Sequence, residues 1–169
     1  MAIGNDCVLF RHGIAEDAAE RGVADAERRL TKRGAERTRR AARGLRRWLN
    51  EPVTVLQSPL VRARETASII AGVFGVEVGE LSALEPGAPT GVLARELADA
   101  AGSHLVVAVG HEPDLSELVA WAVGASSSAG VELKKASACR VSLPGAGEPC
   151  GQLHWLLPPR LLRCLGDES

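Results

Sequence analysis

The sequence predicts a three-layer α/β fold with a mainly parallel central sheet. Two observations carry that prediction. Short apolar or β-branched runs alternate with amphipathic stretches of helical period along the chain. Runs such as Cys7–Phe10 and Leu105–Val109 contain nothing that needs water, and each ends abruptly in polar or glycine-bearing residues. Such strand ends are where open α/β sheets hold ligands. The 169 residues suit one domain at about 100–200 residues per domain. No internal repeat or linker divides them, so 1–169 is expected to be a single domain.

Taken in order, Cys7–Phe10 is the first strand, followed by Arg11-His12-Gly13. The polar stretch from Ile14 to Arg29 has no sustained period and is expected to be a loop that starts at the active edge. Thr31 is the N-cap of a helix reaching about Leu49, with Ala35, Ala42, Leu45, Trp48 and Leu49 facing inward. Its outer face carries Arg37, Arg39, Arg40, Arg43, Arg46 and Arg47, a solvated face that could also dock an acidic partner. Asn50-Glu51-Pro52 ends the helix, and Val53–Leu56 is the second strand. Ser58 reads as an N-cap and Pro59 as the first residue of a helix that continues to Phe74-Gly75. Val76–Val78 is a short strand, Leu81–Pro89 a loop, and Thr90–Ala101 a helix burying Val92, Leu93, Leu97 and Ala101. Leu105–Val109 is a buried strand running into Gly110-His111-Glu112-Pro113, and a helix follows from Pro113 to Val123. Ala138–Leu143 and Gln152–Leu156 flank a Pro-Gly-Ala-Gly turn and predict a β-hairpin. A short helix, Arg160–Leu165, closes the chain.

Hydrophobic residues make up 46% of the chain and charged residues 24%, with three Trp, two Phe and no Tyr. The core must therefore be built from Leu, Val and Ala. Twenty basic against twenty-one acidic residues leave a net charge of −1, which argues against general nucleic-acid binding. Cys7, Cys139, Cys150 and Cys164 form no CxxC pair and show no metal-ligand spacing, so buried free thiols in a reducing cytosol are expected. Residues 1–6 lack the features of a signal peptide. No apolar run approaches the roughly 20 residues of a membrane span. A soluble, cytoplasmic protein is expected.

An always-charged guanidinium beside an imidazole at a strand end suits phosphate: Arg11 can hold it and His12 can attack it. His111 stands at the end of another buried strand, and Arg62 lies at the start of the helix after a third. Parallel strands place all of these on one sheet edge, where Arg11, His12, Arg62 and His111 can meet in one crevice. His104 and His154 are expected to be structural, and Lys134-Lys135 to be a solvated turn that could also meet an anionic substrate. No Asp/Glu cluster has metal-ligand spacing.

These residues resemble the histidine phosphatase (phosphoglycerate-mutase-like) superfamily, and within it the SixA-type phosphohistidine phosphatases. The matching stretches are Leu9–Gly13, Arg28–Gly34, Ser58–Ala67 and Val109–Leu115, with a further likeness at Trp155–Leu162. They cover nearly the whole chain in the right order, and Arg-His-Gly together with Ser-Pro-x-x-Arg-Ala is highly specific. The resemblance implies the histidine-phosphatase fold and no cofactor or metal. It implies His12 as nucleophile forming a transient phosphohistidine, with Arg11, Arg62 and His111 holding the phosphoryl oxygens. Arg28 matches an arginine of the pattern that could reach the phosphate or equally pin the loop. Ser58 is a further phosphate-binding candidate beside its reading as a cap.

Ester-cleaving members carry a carboxylic general acid in the segment corresponding to Leu81–Pro89. Here Ala83 stands where some SixA relatives have Glu, and Glu85 is the available carboxyl. General acid catalysis contributes about 10²–10⁴-fold, and its loss matters less for an imidazole leaving group than for an alkoxide. The expected activity is removal of phosphate from a histidine-phosphorylated signalling protein, such as a histidine phosphotransfer domain, by a monomer without nucleic-acid or membrane partners. The alternatives are a phosphatase for small phosphate esters, with Glu85 as acid, and a non-catalytic phospho-binding module.

Overall fold

The computed structural model describes residues 6–102, 104–144 and 150–167. Residues 1–5, read above for targeting signals, and Gly145–Gly147 of the hairpin turn lie outside them. Six strands form one sheet: β1 (Asp6–Arg11), β2 (Val53–Gln57), β3 (Val78–Glu80), β4 (Leu105–Gly110), β5 (Ala138–Ser142) and β6 (Gln152–Leu157). Their order is β3-β2-β4-β1-β5-β6. The first four run parallel, and β5 and β6 close one side antiparallel.

The alternation of side chains along each strand divides the core in two. From β1, Cys7 and Leu9 enter one apolar cluster while Val8 and Phe10 enter the other. From β4, Val106 and Ala108 go to the first and Leu105, Val107 and Val109 to the second. A strand buried on both faces has no polar position to offer, which is why β1 and β4 are legible as unbroken apolar runs.

The helices are α1 (Ala18–Arg21), α2 (Lys32–Trp48), α3 (Val61–Phe74), α4 (Thr90–Ala101), α5 (Asp114–Ala122) and α6 (Pro159–Asp167). Helices α4 and α5 cover the first cluster, and α2, α3 and α6 the second. This is the predicted three-layer arrangement. Thr31 caps α2 as expected, its hydroxyl accepting the Gly34 N–H at 2.8 Å.

Several expectations are corrected. The stretch from Ile14 to Arg29 is not all loop: it holds α1, capped by Asp17, and a 3₁₀ turn at Asp25–Glu27. Trp48 does not face the core but is 46% exposed, packed edge-on against Trp155 with ring centroids 6.3 Å apart. The third strand starts at Val78 rather than Val76, because the Val76 N–H closes the end of α3 on the Ala71 carbonyl at 3.1 Å. Cys7 and Cys139 are buried, but Cys150 and Cys164 are exposed, and all four are free. Burial pushes the Cys7 and Cys139 thiols up, the latter to about 12, so both stay protonated. The arginine face of α2 is solvated only in part: Arg40 pairs with Asp167, and Arg47 donates to the Leu165 carbonyl of α6 at 2.6 Å. No helix among the described residues is long and apolar enough to cross a membrane.

Candidate active site

Register decides which residues meet. Strand β4 lies between β1 and β2, with Arg11 opposite Gly110 and Gln57 opposite Val109. Three chain segments therefore leave the sheet side by side at one edge. Backbone bonds extend this order past the strands: His12 N–H donates to Gly110 O at 3.1 Å, and Ser58 N–H to Val109 O at 3.0 Å. His12 and His111 come together as the topology predicts, their rings tilted at 51° with centroids 5.1 Å apart. Arg62, in the first turn of α3, arrives from the β2 side and is buried with them.

The partners of His12 define its tautomer. Its Nδ1 lies 2.7 Å from the Gly13 carbonyl, which can only accept, so Nδ1 carries the proton. Its Nε2 receives the Arg62 Nε–H at 3.3 Å, which can only donate, so Nε2 presents its lone pair. Burial, then the neighbouring His111, Arg62 and Arg11, lower the His12 pKa to about 3, against the opposing pull of the Gly13 bond. His12 is thus a neutral imidazole with a fixed nucleophilic nitrogen. Burial and Arg62 likewise lower His111 to about 4. Its Nε2 bonds Ser58 Oγ at 2.8 Å, and its buried Nδ1 has no hydrogen-bond partner among the described residues.

The loop from His12 is fixed from behind. Thr66 Oγ1 accepts the Gly13 N–H at 3.0 Å and donates to the Arg62 carbonyl at 2.7 Å, tying the two segments together. Gly13 must be glycine because a Cβ there would overlap Thr38 Oγ1. Arg11 is half-buried, donating through Nη1 to Leu133 O at 2.7 Å, and its buried Nε has no hydrogen-bond partner among the described residues. The segment after α5 returns to this edge: Arg11 N–H bonds Ser137 O at 3.2 Å and Ala136 N–H bonds Arg11 O at 3.1 Å.

Some expected residues take other parts. Ser58 is not the cap of α3. Leu60 holds that position, and the Ser58 hydroxyl instead orients His111. Arg28 is tied into the loop, its Nε donating to Glu16 O at 2.7 Å and its Nη1 to Asp25 Oδ1 at 2.9 Å. Glu85 is exposed on the turn after the 3₁₀ segment Ser82–Leu84, with no side-chain hydrogen bond to the cluster among the described residues, and Ala83 is buried in the core. Glu112, whose carboxyl burial pushes up, bonds Ser116 on α5 rather than the histidine pair. His104 and His154 lie on the exposed surface, His154 bonding Ser142.

Sequence reasoning missed Asp25 and Thr66, and put a solvated turn ahead of substrate contact for Lys135. Asp25 bridges Arg28 and Arg62, accepting from Arg62 Nη2 at 3.0 Å through its carboxylate and from Nη1 at 2.6 Å through its backbone oxygen. Thr66 could have been noticed as a polar residue one turn after Arg62 on the buried face of α3. Lys135 is part-buried rather than solvated, and burial with the nearby Arg11, Arg28 and Arg62 lowers its pKa. The site thus gathers four cations, two neutral imidazoles and the Asp25 carboxylate. Such a set can hold an oxyanion and offer it a nucleophile. Among the described residues, no three His, Cys, Asp or Glu side chains gather closely enough to hold a metal ion.

The family model described as histidine phosphatase superfamily (branch 1) matches residues 7–85. An uncharacterized protein of Picosynechococcus sp. is 41% identical over 120 residues, 68% of either chain. Among solved structures, the protein histidine phosphatase SixA complexed with tungstate superposes with a TM-score of 0.79 at 26% identity, covering 92% of this chain and 97% of that one. The phosphoserine phosphatase of Entamoeba histolytica in complex with 3-phosphoglyceric acid shares the fold, with a TM-score of 0.70 at 17% identity over 93% of this chain and 98% of that one. The chain belongs to the histidine phosphatase superfamily, branch 1, with the architecture of its SixA-type members.

Proposed function

We propose that this phosphatase-superfamily protein is a phosphohistidine phosphatase acting in the cytoplasm on a histidine-phosphorylated signalling or phosphotransfer protein. The observation that carries the reading is a neutral, fixed nucleophile with no carboxylic acid hydrogen-bonded to the histidine pair among the described residues. His12 presents its Nε2 lone pair beside Arg62. The Asp25 carboxylate in the cluster is held ionised, first by Arg28 and then by Arg62, so it has no proton to give. Glu85 and Glu112 do not hydrogen-bond the histidine pair. A site built this way suits a leaving group that departs without strong protonation. A phosphorylated imidazole protonated on its other ring nitrogen leaves as the neutral base, whose conjugate acid lies near pKa ~6.5, whereas an ester leaves as a strongly basic alkoxide. The similarity to the protein histidine phosphatase SixA supports the same reading.

The reaction is two in-line displacements. The His12 Nε2 lone pair, released from the Arg62 Nε–H, forms a bond to phosphorus as the P–N bond breaks in a substrate ring protonated on its other nitrogen, and that electron pair leaves on a neutral substrate imidazole. A water oxygen then attacks phosphorus, the His12 P–N bond breaks, and its electron pair returns to Nε2. The water's protons pass to the phosphate and the solvent. Arg62, Arg11 and His111 Nδ1 are the groups available to the phosphoryl oxygens, each donor commonly worth a few kcal/mol in the transition state.

The test is phosphate release from a phosphorylated histidine phosphotransfer domain, beside a panel of sugar phosphates. The expected result is turnover of the first, and a His12→Ala variant slower by at least about a thousandfold. An acid-labile, base-stable phosphoryl label should map to His12 by mass spectrometry. Turnover of the esters alone would overturn the substrate, and a His12→Ala protein of normal activity would overturn the nucleophile.

A further inference from the structure

Asp25 has no part in the two displacements, yet it occupies the mouth of the site. Its side chain is 63% exposed while the Arg62 side chain it touches is 6% exposed, so the carboxylate stands on the outer side of that guanidinium. Arg28 Nη1 and Arg62 Nη2 reach its two oxygens at 2.9 and 3.0 Å. Each arginine has a further hydrogen bond besides the one to that carboxylate. Arg62 is buried and also held by the Asp25 backbone oxygen at 2.6 Å and by His12. Arg28 is also held by the Glu16 carbonyl at 2.7 Å. What the carboxylate adds is its charge. The buried part of the cluster carries Arg62, with Arg11 half-buried beside it, while the exposed side carries a negative group.

A phosphoryl dianion drawn to the interior leaves whatever carries it at the rim. We propose that Asp25 is a specificity-determining residue. Its carboxylate favours phosphoryl groups borne on neutral or cationic carriers and disfavours phosphate esters with a carboxylate next to the phosphate. An imidazole side chain satisfies this rule and a phosphorylated hydroxy acid violates it. The inference rests on the cluster being a phosphoryl site, and not on the identity of a protein substrate.

A matched pair isolates the charge: 3-phosphoglycerate and glycerol 3-phosphate have the same phosphate ester and differ by a carboxylate against a hydroxymethyl group. Their binding to the full chain is measured by calorimetry in phosphate-free buffer. The wild-type protein should prefer glycerol 3-phosphate. Asp25→Asn should reduce that preference about tenfold, the size of a like-charge contact near a protein surface. Asp25→Glu should retain the preference. Removing an equal charge from the same turn with Glu27→Gln should leave the preference unchanged. In the wild-type protein alone, added salt should compress the preference as the rim charge is screened.

Equal changes for both ligands in Asp25→Asn would overturn the proposal, as would loss of all binding in a folded variant, which would make Asp25 a strut for the arginines. So would a wild-type preference insensitive to salt. Absence of phosphohistidine turnover would leave this ratio intact, and a ratio that does not move would leave phosphohistidine turnover intact, so the two readings fail separately.

Discussion

Ser58 and His111 form a buried pair whose geometry neither residue type announces. The Ser58 hydroxyl lies 2.8 Å from His111 Nε2 and is fully buried, so removing it strands a second ring nitrogen in a site where Nδ1 already has no hydrogen-bond partner among the described residues. An unsatisfied buried polar atom costs about 1–3 kcal/mol. Ser58→Ala should therefore lower stability by about that much in urea titrations. It should also lower kcat by about tenfold with little change in KM, because His111 is left bound but poorly aimed. An unchanged kcat would show that His111 needs no orienting partner. The same scale shows why the sequence revealed part of the site and hid the rest. His12, His111 and Arg62 were legible because each follows a buried strand, and strand ends are visible in the hydrophobic pattern. Asp25 and Thr66 were not, and Lys135 was so only as a second reading. Asp25 and Lys135 come from irregular segments whose paths depend on contacts far along the chain. Thr66 is indistinguishable in type from any helical threonine.

At the scale of elements, the strands and their covering helices were legible, because each buried strand needs apolar residues on both faces and each covering helix on one, whereas α1 buries no residue and left no such pattern. The unread part is how helices lie on one another. Helix α6 crosses α2 where Gly44 and Gly166 face each other's backbones. A Cβ on Gly44 would overlap the Leu162 carbonyl, and one on Gly166 would overlap the Arg40 carbonyl. In a helix interior, Gly→Ala usually stabilises by roughly 0.5–1 kcal/mol. Here the sign should reverse, since the obstacle is backbone rather than a flexible side chain. Gly44→Ala should cost about 1–3 kcal/mol, the usual range for overpacking. It should also raise amide exchange across Pro159–Asp167 more than across α3. A stabilised Gly44→Ala protein would mean that the two helices separate freely. The arginine-rich face of α2 owes its partial cover to the same crossing. Its charge pattern was readable, but the Asp167 and Leu165 partners that α6 brings were not.

At the scale of the whole molecule, two buried neutral histidines make the fold sensitive to acid. His12 and His111 have pKa values near 3 and 4 in the folded protein, lowered chiefly by burial and further by the guanidinium groups around them. An unfolded chain restores both to about 6.5. As pH falls below about 6.5, the unfolded state therefore takes up protons that the folded state refuses, and stability falls with pH. The contribution is fully present above about pH 6.5 and is withdrawn progressively towards pH 3–4. Each tenfold displacement of a proton equilibrium is worth about 1.4 kcal/mol, so the pair withdraws several kcal/mol from a domain whose total is about 5–15. The urea midpoint should fall steeply between pH 6.5 and 4.5, before most exposed carboxylates titrate. His12→Asn should flatten that slope by up to one proton, and His111→Asn should do likewise. His104→Gln, at an exposed position, should leave it unchanged. A wild-type midpoint constant from pH 7 to 4.5 would mean that the two rings are charged in the folded protein. The neutral nucleophile would then be lost with them, so a stability titration also tests the chemistry of the site.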